Sequence, residues 1–285
     1  MRWGPLEIGD LTDPVALDAA FARHRPVAVV HFAALAYVGE SVDQPDRYYS
    51  GNVVGSLTLL NAMRRNGIDA IIFSSTCATY GVPEMMPLTE THPQAPINPY
   101  GNTKLAVERM LADYATAYGL RPVILRYFNA AGADPEAEIG ECHEPETHLI
   151  PLVLEAALGL RDHVMVFGDD YPTPDGTCIR DYIHVNDLAG AHLLALERLL
   201  AGGSGLVANL GTGTGHSVLE VIDAATRVAG RAPKVIRTGR RPGDPPILVA
   251  DSSVARRELG WAIKINDIDV IVAHACGWLR RQQGL

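Results

Sequence analysis

Residues 69–76, DAIIFSST, form an unbroken apolar run that ends in three hydroxyls, and a long helical stretch, PYGNTKLAVERMLADYATAYG (99–119), follows it. A run this short and this apolar, without alternation, is what a strand covered on both faces requires. Pro99 at the start of the following stretch and Gly119 at its end punctuate a helix. LRPVILRYFNAAG (120–132) then reads as another strand. Upstream, PVAVVHFAAL (26–35) is a β-branched run, and DRYYSGNVVGSLTLLNAMRRNG (46–67) has helical spacing closed by Gly67. The alternation strand–helix–strand–helix–strand, with connections that cross back, predicts an α/β fold built on a doubly wound parallel sheet.

The second half is less regular. Residues 130–148 are polar, rich in Pro and Gly, and read as a loop over a site. LIPLVLEAALG (149–159) reads as a helix, VMVFG (164–168) and CIRDYIHV (178–185) as strands, and NDLAGAHLLALERLLAG (186–202) as a helix capped by Asn186. GLVANLG (205–211) and PKVIRTG (233–239) read as strands, and SVLEVIDAATRVAG (217–230) and DIDVIVAHACGWLRRQQ (267–283) as helices. The pattern predicts one α/β domain over 1–129 and a smaller α/β domain over 130–285, with segments near 183–211 returning to the first sheet.

Bulk properties narrow the function. With 285 residues the chain can bury a sizeable core. A net charge of −9 argues against nucleic acid or an anionic membrane as the main partner. No apolar run reaches the length of a membrane helix, and the start lacks the pattern of a secretory leader. Cys77, Cys142, Cys178 and Cys276 are widely spaced without a CxxC, the usage of a reduced cytoplasmic protein.

Tyr100 and Lys104 are four residues apart, so they share one helix face. An ammonium there stabilises a phenolate and makes the tyrosine a candidate base. The run ending in Ser74, Ser75 and Thr76 delivers hydroxyls to the carboxyl end of a strand, where open α/β sheets bind ligands. Both features alone also suit a surface tyrosine, a solvated lysine and hydroxyls that cap local backbone.

The blocks HFAAL, GNVVGSLTLLNAM, FSSTCATYG, PYGNTKLAVE, LRYFNAAGA, FGDDYPTPDGTCIRDYIHVNDLA, NLGTGTGHSVLEVI and RRPGDPP together resemble the UDP-glucose 4-epimerases, from about Gly9 to Trp261 and in the same order. These are extended short-chain dehydrogenases/reductases acting on nucleotide sugars. The resemblance implies NAD as cofactor and a UDP-sugar as substrate, with UDP-glucose and UDP-galactose interconverted by transient oxidation at C4. It implies that Tyr100 takes the proton of the sugar 4-hydroxyl, that Lys104 binds nicotinamide ribose and tunes Tyr100, and that Thr76 hydrogen-bonds the 4-oxygen. On the cofactor side it implies Asp10, Leu11, Phe32, Ala33, Ala34, Asn52, Ser74 and Phe128. On the substrate side it implies Asn129, His148, Leu149, Val166 and Phe167, with Arg180 and Arg241 on the diphosphate, Asp244 on the uridine ribose, and Leu248 at the position that gates an N-acetyl group. A homodimer through the helices at 46–66 and 99–118 is implied as well. Thr76 is followed by Cys77 and Ala78, where similar dehydratases carry an acid pair; this favours epimerisation over water loss. A dehydratase, a decarboxylase and a non-catalytic nucleotide-sugar binder are the alternatives.

Three features compete with this reading. NLGTGTGHSVLEV imitates a dinucleotide fingerprint, but Gly211, Gly213 and Gly215 are spaced G-x-G-x-G. CHEPETH (142–148) gathers Cys142, His143, Glu144 and His148, but its histidines are one residue too far apart for the helical zinc motif and Pro145 opposes a helix, so no metal is expected and a polar lid over the sugar is. His31, on an apolar strand, reads as a satisfied buried histidine. Finally, the family pattern begins with a strand, a glycine-rich turn, a helix and a second strand, whereas this sequence opens with MRWGPLEIGDLTD, in which PLEIGDL matches the third strand. The expectation is a chain short of one βαβ-type unit of roughly 30–50 residues, with weak NAD binding and an exposed apolar sheet edge. Two readings of that gap compete: a misassigned or truncated start to a complete epimerase, or a degenerate binder. The intact Tyr100–Lys104 pair favours the first.

Overall fold

The computed structural model describes residues 4–241 and 244–285. In chain order the elements are α1 (Pro14–His24), β1 (Val29–His31), α2 (Val38–Asp43), α3 (Pro45–Tyr48), a π-helical turn (Tyr49–Val54), α4 (Gly55–Arg65), β2 (Ala70–Thr76), a 3₁₀ turn (Cys77–Thr79), α5 (Pro99–Tyr118), β3 (Arg121–Tyr127), β4 (Asn129–Ala131), α6 (Leu149–Ala157), β5 (Val164–Phe167), β6 (Ile179–His184), α7 (Val185–Leu200), β7 (Leu206–Leu210), β8 (Gly215–Ser217), α8 (Val218–Ala229), β9 (Val235–Thr238), β10 (Ile247–Leu248), α9 (Ser253–Leu259) and α10 (Ile268–Gln283).

The chain divides into two compact units. The first comprises the chain through Gly81, Pro93–Arg126 and Ala195–Val207; the second comprises Val82–His92, Tyr127–Leu194 and Ala208–Leu285. Each unit is assembled from segments far apart in sequence.

In the first unit the sheet order is β1-β2-β3-β7, with β1 parallel to β2 and Val29, Val30 and His31 opposite Ile71, Ile72 and Phe73. Every residue of β2 is buried, which explains why its sequence lacks alternation. One core joins Leu59, Leu60 and Met63 of α4 with Ile71 and Phe73 of β2 and Val107 and Leu111 of α5. Each such side chain contributes roughly 1.5–3 kcal/mol on full burial. Asn98 caps α5 by accepting from Gly101 N–H, Pro99 stands at its first turn, and Gly119 ends it at φ +72°. β1 stands at one end of the sheet, and Val30 within it and Phe32 just after it are exposed.

In the second unit β6 lies between β10 and β4, parallel to both, and β8 pairs antiparallel with β6; β5 and β9 form a separate parallel pair. Its core unites Ile150, Val153 and Leu154 of α6, Val221 and Ala225 of α8, and Ile271, Val272 and Ala275 of α10 against Val164 and Val166 of β5. Ser217 and Glu220 close a reciprocal capping box on α8.

Four expectations are corrected. PLEIGDL is irregular backbone with no strand, because no neighbouring strand pairs with it among the described residues. Residues 46–67 are not one helix: the π-helical turn at Tyr49–Val54 interrupts them. Residues 120–132 break at Phe128 into β3 and β4, which lie in different sheets. Asn186 does not cap α7; the helix starts at Val185, and the His184 imidazole accepts from Asn186 N–H at 3.0 Å. Of the quoted blocks, Met1–Trp3 and the Pro242–Gly243 part of RRPGDPP lie outside the described residues.

Candidate active site

The first unit brings Tyr100, Lys104, Ser74 and Thr76 to one corner. Lys104 lies one turn beyond Tyr100 on α5 and is almost fully buried, its Nζ donating to Ser74 O at 2.8 Å. It also stands 4.9 Å from the centroid of the Phe73 ring. Burial pushes its pKa down to about 8, against the opposing pull of Glu108. Such an amine changes charge close to neutral pH. Thr76 ends β2, and its hydroxyl accepts from Ala78 N–H at 3.2 Å, so the hydroxyl is fixed at the strand's carboxyl end. Gly101 sets the approach of the two elements: a Cβ there would stand 2.6 Å from Ala78 O, closer than any side chain tolerates.

A chain of hydrogen bonds holds the Tyr100 turn in place. His31 bonds Ser56 Oγ at 2.8 Å, Ser56 donates to Asn52 O, and the Asn52 amide donates to Thr103 Oγ1 at 3.1 Å. Thr103 then donates to Tyr100 O at 2.7 Å. Because Ser56 spends its proton on Asn52, His31 is the donor, a neutral imidazole protonated on Nε2. Its pKa is lowered to about 4, by burial first and by the Lys104 charge second. Asn52 also accepts from Leu35 N–H at 2.8 Å and donates to Leu35 O at 3.0 Å, which clamps the backbone just after Phe32, Ala33 and Ala34. Asn52 sits in the π-helical turn, a departure from α geometry that often marks a functional position.

Beneath this corner lies a buried ion pair. Arg126 donates through Nη2 to Glu108 Oε2 at 2.6 Å and through Nε to Oε1 at 3.0 Å, and its Nη1 reaches Tyr80 Oη at 3.0 Å. Gln94 and Ser75 supply further donors to the Glu108 carboxylate. Sequence reasoning did not single out Ser56, Thr103, Glu108 or Arg126. The one available signal was the placement of Glu108 four residues after Lys104, on the same helix face.

The remaining cofactor-side candidates behave differently. Asp10 is exposed and accepts from the Thr12 hydroxyl at 2.7 Å and Thr12 N–H at 2.8 Å, which keep its carboxyl below the usual range. Leu11 packs against the core at Gly55. Phe32 and Ala33 are exposed and Ala34 half-buried, so small side chains on clamped backbone stand open after β1. That suits close approach of a flat ring and a ribose, which bulky or loose backbone would obstruct. Phe128 belongs to the second unit and is buried.

The second unit gathers most of the substrate-side candidates. Arg180 on β6 pairs through Nη2 with Asp244 Oδ1, and Leu248 of β10 lies opposite Arg180 in register. The Arg241 guanidinium lies 3.8 Å over the Phe167 ring, and Arg241 O accepts from Asp244 N–H at 3.3 Å. Two guanidiniums, one half-buried and one exposed, suit an anion that takes bidentate contacts. Asn129 opens β4 opposite Tyr182, and Val166 faces the core. Leu149 packs on that core too, while His148 joins a group of carboxylates and a second imidazole. The Glu141 carboxylate accepts a hydrogen bond from the His148 imidazole, which raises the imidazole's pKa despite opposing burial.

The loop resembling a dinucleotide fingerprint is occupied by the chain itself. Thr212 N–H, Gly213 N–H and Ala250 N–H all donate to the fully buried Asp181 carboxylate, at 2.8, 3.0 and 3.1 Å. An internal carboxylate takes the place a pyrophosphate would need.

This buried lysine beside a tyrosine, at the carboxyl end of a sheet in an α/β unit, is the arrangement of a nicotinamide-dependent enzyme. Residues 3–211 match the family model described as the NAD dependent epimerase/dehydratase family, and the chain belongs to that family. It is 55% identical over 278 residues to a UDP-glucose 4-epimerase of Rhizobium leguminosarum bv. trifolii, covering 98% of this chain and 85% of the relative. A crystal structure of UDP-glucose 4-epimerase from Brucella ovis in complex with NAD is 54% identical, with a TM-score of 0.94 over 96% of this chain and 85% of that one. That from Bifidobacterium longum in complex with NAD+ and UDP is 41% identical, with a TM-score of 0.93 over 97% of this chain and 83% of that one.

Proposed function

We propose that the protein interconverts UDP-glucose and UDP-galactose, with NAD as the cofactor. The observation that carries this reading is the buried Lys104 ammonium, fixed on Ser74 O one helical turn from Tyr100 and beside the Thr76 strand end. High identity to UDP-glucose 4-epimerases over nearly the whole chain supports it.

Bound NAD would supply reversible hydride chemistry at sugar C4. Tyr100 takes the 4-hydroxyl proton during oxidation and gives it back during reduction. Lys104 stabilises the deprotonated tyrosine oxygen by its charge, and Ser74 O keeps that ammonium in position. Thr76 hydrogen-bonds the 4-oxygen. Ala33 and Ala34, on backbone held by Asn52, would hold the nicotinamide end, and Asp10 the adenine end. In the second unit Arg180 and Arg241 bind the diphosphate, Asp244 the uridine ribose, and Asn129, His148, Leu149, Val166 and Phe167 shape the sugar and uracil contacts, with Leu248 bearing on N-acetyl sugars. Cys77 and Ala78 after Thr76 offer no acid pair for eliminating water.

Incubation of the chain with NAD and UDP-galactose, followed by chromatography and mass spectrometry of the nucleotide sugars, tests the reading. The expected product is an epimer of unchanged mass. Loss of water or carbon dioxide overturns it, as does bound sugar nucleotide with no turnover when NAD is shown to be bound as well. The working form we propose is a homodimer through residues 46–66 and 99–118, where Tyr49, Val54, Leu57 and Tyr118 are exposed. We place it in the cytoplasm, where its four free, widely spaced cysteines would stay reduced. No helix among the described residues is long and apolar enough to cross a membrane.

A further inference from the structure

We propose that Glu141, His143, Glu146 and His148 form a binding site for one zinc-class divalent cation. Each of these side chains offers one ligand atom, and the four atoms lie within 4.8 Å of one another. Ligands at about 2.0–2.1 Å from a tetrahedral zinc stand about 3.4 Å apart. His143 Nδ1 lies 2.8 Å from Glu141 Oε1 and 3.7 Å from Glu146 Oε1, which already brackets that spacing.

The directions of the donors matter more than their number. His143 and His148 both aim Nδ1 at the same oxygen, Glu141 Oε1, with their rings 5.2 Å apart and nearly perpendicular. One divalent ion among these four atoms would balance the two carboxylates. Two nitrogens and two oxygens are a donor set that suits zinc and neighbouring first-row metals rather than magnesium or calcium.

The loop holds this geometry from both ends. Trp278 Nε1 donates to Glu141 O at 2.7 Å, and a Cβ on Gly140 would fall 2.2 Å from the Trp278 ring, so the indole lies against the backbone before Glu141. At the other end Glu146 Oε1 accepts from Thr147 N–H and His148 N–H at 2.7 and 2.8 Å, and His148 precedes the first residue of α6. The spacing E-x-H-x-x-E-x-H is not the helical zinc motif. CHEPETH was discounted on helical spacing, and in loop geometry the ligands become Glu141 and Glu146 in place of Cys142 and Glu144.

The test is titration of the full chain with zinc against a chromophoric chelator, repeated with cobalt to read the visible absorption of a four-coordinate site. The expected result is one ion per chain, with His143→Ala and Glu146→Gln each weakening binding at least tenfold while circular dichroism and the melting temperature stay as in the parent. Cys142→Ser is expected to bind as the parent does. Binding absent in the parent, unchanged in both ligand variants, or lost in Cys142→Ser overturns the assignment. The readout involves no sugar chemistry, so it stands or falls apart from the epimerase reading.

Discussion

Lys104 in the first unit is buried, with its ammonium on a backbone carbonyl, whereas Arg241 in the second is exposed and lies over an aromatic ring. The same contrast runs through the groups around them. Asn52, Thr103, Ser56 and His31 are buried and bonded to one another, and Glu108 and Arg126 are each about 5% exposed. The Arg180–Asp244 pair and the His/Glu loop keep more contact with water. The difference accords with the proposed roles of the two units. Proton transfer needs one oxygen held at one place with a tuned affinity for its proton, and a dry, connected network does that. Holding a flexible diphosphate needs charge and reach, which half-exposed arginines provide.

The largest expected effect falls on the reacting group. Tyr100→Phe removes the proton acceptor, and kcat for interconversion should fall by roughly 10²–10⁴, the range of a positioned acid–base group. The bond from Thr103 survives the substitution, because the backbone carbonyl of Tyr100 accepts it. An activity loss below tenfold would take Tyr100 out of the chemistry.

Next comes the pair beneath the site. Arg126→Met leaves the Glu108 carboxylate buried without its main partner, and such a loss costs about 3–5 kcal/mol. Denaturant unfolding should show it in the transition of the first unit. If the cost is under 1 kcal/mol, water reaches Glu108 and the unit is wetter than its burial indicates.

Some of this was readable in the sequence, and the reason differs from residue to residue. Tyr100 and Lys104 were legible because helix periodicity fixes i and i+4 on one face, and β2 because continuous burial leaves continuous hydrophobicity. The Asn52–Thr103 and Glu108–Arg126 bonds join residues 51 and 18 positions apart, and no periodicity links them. The π-helical turn escaped because Tyr49–Val54 continue the apolar spacing of the helix that follows, although Gly51, Asn52, Val53 and Val54 are weak helix formers. His184 as the cap of α7 escaped because the usual caps are Ser, Thr, Asp and Asn, one of which, Asn186, stood two residues on. In the loop at 141–148 the pattern was visible but the backbone was not: helical spacing pairs the wrong side chains once the chain bends at Pro145.

His31 gives a pH test of the dry first unit. Its folded-state pKa of about 4 lies below the ordinary 6.5, so between those values the unfolded chain binds more protons. Stability from this group is therefore complete above pH 6.5 and lost as pH falls toward 4. The full shift corresponds to about 3 kcal/mol. Comparing unfolding free energies of the parent and His31→Gln across pH 4–7 isolates the contribution from the carboxylates that titrate in the same range. Parallel curves would mean that His31 is protonated without penalty, and that the His31–Ser56–Asn52 chain is not the dry network its burial indicates.

The smallest effect belongs to the second unit. Arg180→Ala removes a charged donor from the proposed diphosphate site, and a charge-assisted hydrogen bond contributes about 1.5–3 kcal/mol, or roughly a ten- to hundredfold weaker UDP affinity by calorimetry. Stability should move by less than about 1 kcal/mol, because the Arg180–Asp244 pair is only partly shielded from water. Arg126→Met and Arg180→Ala thus remove the same kind of side chain with opposite consequences: the first should damage the fold, the second the ligand affinity. If Arg180→Ala instead unfolds the second unit while UDP binds normally, Arg180 is a structural partner of Asp244, and the diphosphate must be held by Arg241 alone.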